Sequence, residues 1–288
     1  MRIVSLGALA SILLAAASAR AADPTSVEAT ADEHGGGGAV DASVTLGVPN
    51  LYYAGSVIHG AEGILAQPGV EAGVSAGDVR VFVGFWGSIQ NGPAGGAATT
   101  LHEADYTAGA TLELGGGVSA VLKYVACTSP ADAFEARHEV TLAFEMDDEA
   151  LWQKGLGGRF KGFKPAIAAT VDVAATDFGT GAGLGGELAV APTFAVVPAG
   201  TVPVSVSVPM ILDITALGAE GDTLAAPVFD SFRAGARVEL GLGFVPEGAG
   251  EWTASLNAGV LGVSGAVAEA NDGQHVVFLG SVEVGASF

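Results

Sequence analysis

The chain has 288 residues, with 11 Lys and Arg against 31 Asp and Glu, a formal charge of −20, and half of its residues are apolar. So acidic a chain lacks the basic footprint that nucleic acid requires, and so apolar a chain buries enough surface to offset the entropy of ordering. Its 44 glycines follow no G-X-Y period, which excludes collagen.

Arg2 precedes an apolar run from Ile3 to Ala17, and the small-x-small sites Ala17-Ser18-Ala19 and Ala19-Arg20-Ala21 follow. This is the pattern of a secretory signal peptide over residues 1–21, cleaved near Ala19 to Ala21. The run is shorter than the roughly 20 residues of a spanning helix. Residues 22–38 are acidic and Gly-rich and read as a flexible arm, whose His34 has no His or Cys nearby to share a metal. The single cysteine, Cys127, can form no internal disulfide, and without electropositive neighbours it reads as a small buried or lipid-facing hydrophobe.

From Val40 onward the period is two. Alternating segments begin near Val40, Leu65, Val79, Leu101, Val118, Phe134, Pro165, Gly186, Val202, Phe229, Glu251 and His275. In the fourth, Glu103, Asp105, Thr107, Gly109, Thr111 and Glu113 share one parity, and Ala104, Tyr106, Ala108, Ala110, Leu112 and Leu114 the other. The sixth sets Glu135, Arg137, Glu139 and Thr141 against Ala136, His138, Val140 and Leu142; the tenth sets Arg233, Arg237 and Glu239 against Phe232, Ala234, Ala236 and Val238. The uncharged stretch Leu188 to Leu212 holds Pro192, Pro198, Pro203 and Pro209, each costing about 3 kcal/mol inside a helix, so it is not a spanning helix.

The segments exceed the usual strand of about 5 to 6 residues and suit a tilted bilayer crossing of about 9 to 11. Short connections (Ala76 to Asp78, Gly115 to Gly117, Pro198 to Gly200, Pro246 to Gly250) alternate with longer ones, as periplasmic turns alternate with outer loops in membrane barrels. One connection, Asp147 to Gly162, is long where a short turn is due, and it carries Lys154, Arg159 and Lys161, with Lys164 just beyond; a short helix or cap is expected there. In lipid every backbone polar group must be paired, so a sheet crosses only when closed. The expected fold is therefore all-β: one closed antiparallel up-and-down transmembrane β-barrel of about 12 strands over residues 39–288. Its polar parity would line a mixed-charge, net acidic lumen, with Glu103, Asp105, Glu113, Lys123, Glu135, Arg137, Glu139, Arg233, Arg237 and Glu239 as the leading charges. Tyr52, Tyr53, Phe85, Trp86, Phe244 and Trp252 are expected at the interfacial girdles.

The C-terminal strand, apolar at every second position and ending in Phe288, resembles the terminal strand by which bacterial outer-membrane barrels are recognised for insertion. A shorter stretch, with Gly60, Gln67-Pro68 and Gly84-Phe85-Trp86-Gly87-Ser88, is similar to an uncharacterised proteobacterial outer-membrane family. That family has an aromatic-x-Arg-Gly element where this chain has Val57-Ile58-His59-Gly60. The resemblance implies an outer-membrane location, with envelope lipid and the barrel-insertion machinery as partners, and it transfers no functional residues.

Phosphate loops, paired-Cys motifs and His-Glu-x-x-His are absent, so no cofactor or metal is expected. A lipid-hydrolysing barrel is the enzymatic alternative: His102 and His138 fall on the apolar outward parity, with Ser88 and Ser129 as rim serines, but no Gly-x-Ser-x-Gly elbow is present. The expected protein is non-enzymatic, a narrow channel or binder for small polar or cationic solutes. A closed structural or surface-display barrel is the alternative.

Overall fold

The computed structural model describes residues 39–54, 57–60, 64–91, 99–131, 136–152, 158–173, 184–200, 202–216 and 228–288. Glu135, the signal segment 1–21 and the arm 22–38 lie outside them.

Among the described residues sixteen strands form in chain order: β1 (Ala39–Pro49), β2 (Tyr52–Ala54), β3 (Val57–Gly60), β4 (Leu65–Ala76), β5 (Val79–Asn91), β6 (Thr99–Gly115), β7 (Val118–Thr128), β8 (Arg137–Met146), β9 (Ala166–Asp172), β10 (Leu184–Val190), β11 (Thr193–Val197), β12 (Val204–Ser207), β13 (Met210–Ala216), β14 (Val228–Gly241), β15 (Glu251–Val263) and β16 (Val276–Ser287). A helical turn α1 (Glu149–Trp152) follows β8, and α2 (Gly265–Ala270) follows β15. Strands β2 and β3 make a small separate hairpin. Pro192 interrupts one crossing between β10 and β11, and Pro209 another between β12 and β13, because proline cannot donate to the ladder. Counting each interrupted pair once, 12 strands run antiparallel around a barrel that closes where β16 pairs with β1. Phe288 lengthens that seam: its N–H donates to the Ala42 carbonyl at 2.9 Å, and the Ala42 N–H donates to its carbonyl at 3.2 Å.

The two faces are inverted relative to a protein folded in water. Outward side chains on successive strands are large, apolar and exposed: Leu46 on β1, Val81 on β5, Leu122 on β7, Leu142 on β8, Ile167 on β9, Leu188 on β10, Leu256 on β15 and Val282 on β16. Inward positions carry Ser88, Glu103, Asp105, Ser231 and Arg237, all buried. Monomers in water rarely expose so continuous an apolar surface. A closed sheet with its apolar parity outward is what a bilayer demands.

The end that holds both strand termini also holds the tight turns, where Gly77, Gly116, Gly117, Gly200 and Gly250 adopt positive φ. The opposite end holds the longer loops. The connection after β8 departs from the tight-turn pattern for a reason that the structure supplies. Its last part lies along β11, with Lys161 N–H donating to the Thr193 carbonyl (2.8 Å) and Ala195 N–H to the Arg159 carbonyl (2.7 Å). The sheet thus continues below β9 as an irregular edge. Trp152, Phe160, Phe163 and Phe194 pack there with ring centroids 5.0–5.6 Å apart.

Candidate functional site in the charged lumen

The lumen is organised around four arginines, each set between two carboxylates. Arg80 on β5 reaches Asp41 on β1 and Glu71 on β4, the latter at 2.8 Å. Gly73 makes room for that reach: a Cβ there would lie 2.6 Å from the guanidinium. Arg137 on β8 lies 3.7 Å from Glu103 on β6 and 3.9 Å from Glu139 on its own strand. Arg233 on β14 lies 3.5 Å from Glu187 on β10 and 3.3 Å from Asp213 on β13. Arg237 meets Glu239 at 3.0 Å and Glu283, on β16, at 3.5 Å. The planar fork of arginine suits such bridging, since several donors leave one rigid group. With every carboxylate ionised, each unit keeps a formal charge of −1, so pairing leaves the lumen acidic.

Of the lumen residues named from sequence, Glu103 and Asp105 are fully buried on the inward face, and Arg137, Glu139, Arg233, Arg237 and Glu239 enter the bridged units. Lys123 lies inward on β7, opposite Gly109. Glu113 is exposed at the turn end. Cys127 is buried, 1% exposed, and points into the lumen beside Asp105, its register partner, rather than toward lipid.

Several aromatic and histidine positions differ from expectation. Trp86 and Tyr52 are 6% and 1% exposed: they pack against each other inside the barrel (6.4 Å) instead of standing at a girdle. Trp86 shares the inward parity of Arg80 and Ser88, whereas Phe85 faces out onto Tyr106. His102 does not keep the outward parity. A bulge between Ser88 and Ile89 shifts the β5–β6 register at this point, and the His102 ring stands edge-on to Tyr52 at 5.5 Å. His138 does face out, stacked on Tyr124, whose hydroxyl lies 2.6 Å from its Nδ1. Ser88 is buried inward rather than at the rim, and Ser129 donates to the His102 carbonyl.

The loop-end mouth is partly stoppered. Leu51, Leu261, Val263, Ala268 and Val277 form an apolar cluster, joined by Tyr53, Val267 and Leu279. Helix α2 is held there by its cap, Ser264, which accepts from the Val267 N–H. Asn50 ties the chain after β1 to β16, donating to the Phe278 carbonyl at 3.0 Å and accepting from the Gly280 N–H at 2.8 Å.

Outside the lumen, the turn after β8 pairs two of its cations: Lys161 bonds Glu149 at 2.6 Å and Lys164 bonds Asp147. Asp148 is buried, which opposes its charge. Donation from the Lys164 N–H (3.0 Å), Trp152 Nε1 (2.7 Å) and Phe163 N–H (3.1 Å) outweighs this and holds its carboxyl below the usual carboxylate range.

No family model and no curated relative matches the sequence. Among solved structures the chain is similar to an outer membrane channel from Pseudomonas putida F1, at 12% identity over 92% of this chain and 99% of that one (TM-score 0.48). It is also similar to the beta domain of a Bordetella autotransporter, at 12% identity over 87% and 98% (TM-score 0.40). A third similar structure is the translocator domain of the autotransporter NalP from Neisseria meningitidis, at 12% identity over 89% and 90% (TM-score 0.35).

Proposed function

We propose that the protein is an exported, non-enzymatic outer-membrane barrel whose acidic lumen binds or slowly passes small cations and small polar solutes. In this reading the signal segment is removed, the turn end and both termini face the periplasm, and the strand ending in Phe288 engages the insertion machinery. The apolar outward belt supports the bilayer setting. The observation that carries the cation preference is the set of four arginines, each outnumbered two to one by carboxylates. Fixed negative charge along a narrow passage favours cations, as carboxylate rings do in channels.

The decisive measurement is planar-bilayer conductance of the folded protein under a salt gradient. The expected result is small unitary currents with a cation-selective reversal potential. Shortening the 264–275 loop, which carries α2 at the stoppered mouth, should raise them. Absence of current from both forms would refute passage. A closed structural barrel is the second reading, favoured by the apolar cluster around Leu261 and by the full burial of Ser88, Glu103 and Asp105.

A further inference from the structure

At the loop end of the β5–β8 wall, three cation-binding side chains converge. Asp105 faces Cys127 across the β6–β7 register, and Glu103 stands two residues away on β6. A carboxylate oxygen of each acid and the Cys127 Sγ all lie within 4.8 Å of one another. None is open to bulk water: the acids are 0% exposed and the thiol 1%.

A second observation comes from outside this trio. Ser88, opposite Glu103 in the β5–β6 register and 0% exposed, has a hydroxyl without a hydrogen-bond partner. Thr107, two residues beyond Asp105 on the same inward parity and 8% exposed, has a hydroxyl in the same condition. A buried polar group left without a hydrogen bond loses its hydration with nothing in return. The Ser88 hydroxyl, in register with Glu103, lies beside the trio, and a polar ligand bound there would satisfy it.

We propose that Glu103, Asp105 and Cys127 bind a divalent transition-metal cation of the zinc class. A thiolate with two carboxylates selects such borderline ions over magnesium or calcium, which take all-oxygen shells. On binding, the Cys127 S–H bond breaks, its proton leaves to solvent, and the sulfur pair is donated to the metal. Tetrahedral ligands lie about 3.3–3.8 Å apart, which small rotations of the two carboxylates reach from the present spacing. Once Cys127 is a thiolate, Glu103, Asp105, Glu139 and Cys127 carry four negative charges; Arg137, between Glu103 and Glu139, offsets one and a divalent cation two more, which leaves the loaded site at −1. Spacing in the sequence does not reveal this set, since its members come from two strands 22 residues apart. The inference deepens the cation-binding reading and rests on it only in that ions reach the lumen.

The test uses metal-stripped, folded protein in detergent, its fold checked by heat-modifiable gel mobility, and titrates it with Co²⁺. The expected result is about one equivalent bound, with thiolate-to-cobalt charge-transfer absorption that Zn²⁺ abolishes by displacement. Cys127→Ser should remove the band, and Asp105→Asn should weaken binding more than about tenfold; Glu103→Gln is the second carboxylate variant should Asp105→Asn not fold. Glu251→Gln, exposed at the turn end and outside the four arginine units, should change neither. No charge-transfer band in the folded wild type overturns the site and leaves the acids to protons or water. That outcome is independent of conductance: a barrel that passes no current can still bind Co²⁺, and one that conducts can fail to.

Discussion

The two ends of the β1–β8 wall carry the same device in different surroundings. At the turn end, Arg80 and its partners Asp41 and Glu71 have side chains 29%, 40% and 30% exposed. At the loop end, Arg137 is 18% exposed and Glu103 fully buried, and Val125, Cys127, Trp86 and Tyr52 are buried as well. Water shares the burden of charge in the first unit, while the second must balance its charge internally. An ion pair is worth little where solvent screens it, and breaking one strands an uncompensated charge where solvent is excluded. The loop end is therefore where the barrel is most sensitive to losing a charge, and the turn end is where ions from solution meet the least resistance.

The largest effect that would test this contrast comes from deleting one arginine at a time. Arg137→Ala should cost about 3–5 kcal/mol, because Glu103 is left buried with its cation gone. Arg80→Ala should cost no more than about 1 kcal/mol. Urea unfolding from detergent or lipid, with chelator present, measures both; equal losses would erase the distinction between the two ends. Next in size is Leu261→Ala in the loop-end cluster. Leu261 is 0% exposed among Leu51, Val263, Ala268 and Val277, so a cavity should cost about 2–5 kcal/mol. The same variant should enlarge any unitary current, since it loosens the stoppered mouth. A loss of stability below about 1 kcal/mol would show that this cluster does not pack as a core.

Much of this architecture was legible in the chain because a bilayer imposes a strict parity. Segments expected to start at Leu65, Val79, Val118 and Glu251 begin there as strands, and the acidic parity of β6 is buried inward from Glu103 through Asp105 to Thr107. The lapses have local physical causes. Trp86 and Tyr52 have the amphipathic rings that suit a headgroup zone, but ring chemistry does not distinguish an interface from a packed lumen. Parity with Arg80 and Ser88 would have placed Trp86 correctly. His102 was displaced by a bulge, which shifts side chains across the sheet and has no signature in a two-residue period. Asp213 escaped notice because inward Ile211 and the break at Pro209 mask the alternation of β13. Asp41 shares the parity of Ser43 and Thr45, so a closer reading of β1 would have found it. The Glu103–Asp105–Cys127 cluster needed the register, which only pairing between β6 and β7 defines.

The smallest expected effect lies outside the lumen and sets a limit to the comparison. Asp148, at the turn after β8, is as buried as many lumen acids (5% exposed), yet no arginine holds it. Its oxygens accept from two backbone N–H groups and the Trp152 indole, so fixed dipoles replace a counter-ion. Because the folded carboxyl titrates below its unfolded value of about 3.9, its contribution is complete above that value and is lost as pH falls through the folded value. Asp148→Asn, which keeps the shape but not the charge, should cost about 1 kcal/mol at pH 7 and remove this acid dependence. The emission attributable to Trp152, taken as the difference from Trp152→Phe, should shift between pH 7 and pH 3 in the wild type and stay nearly constant in Asp148→Asn. A Trp152 signal that titrates equally in both would mean that packing with Phe160 and Phe163, not the carboxylate, orders the turn. An acid held by backbone donors costs the barrel no lumen cation. That leaves the four lumen arginines, Arg80, Arg137, Arg233 and Arg237, to bridge the walls of the bore.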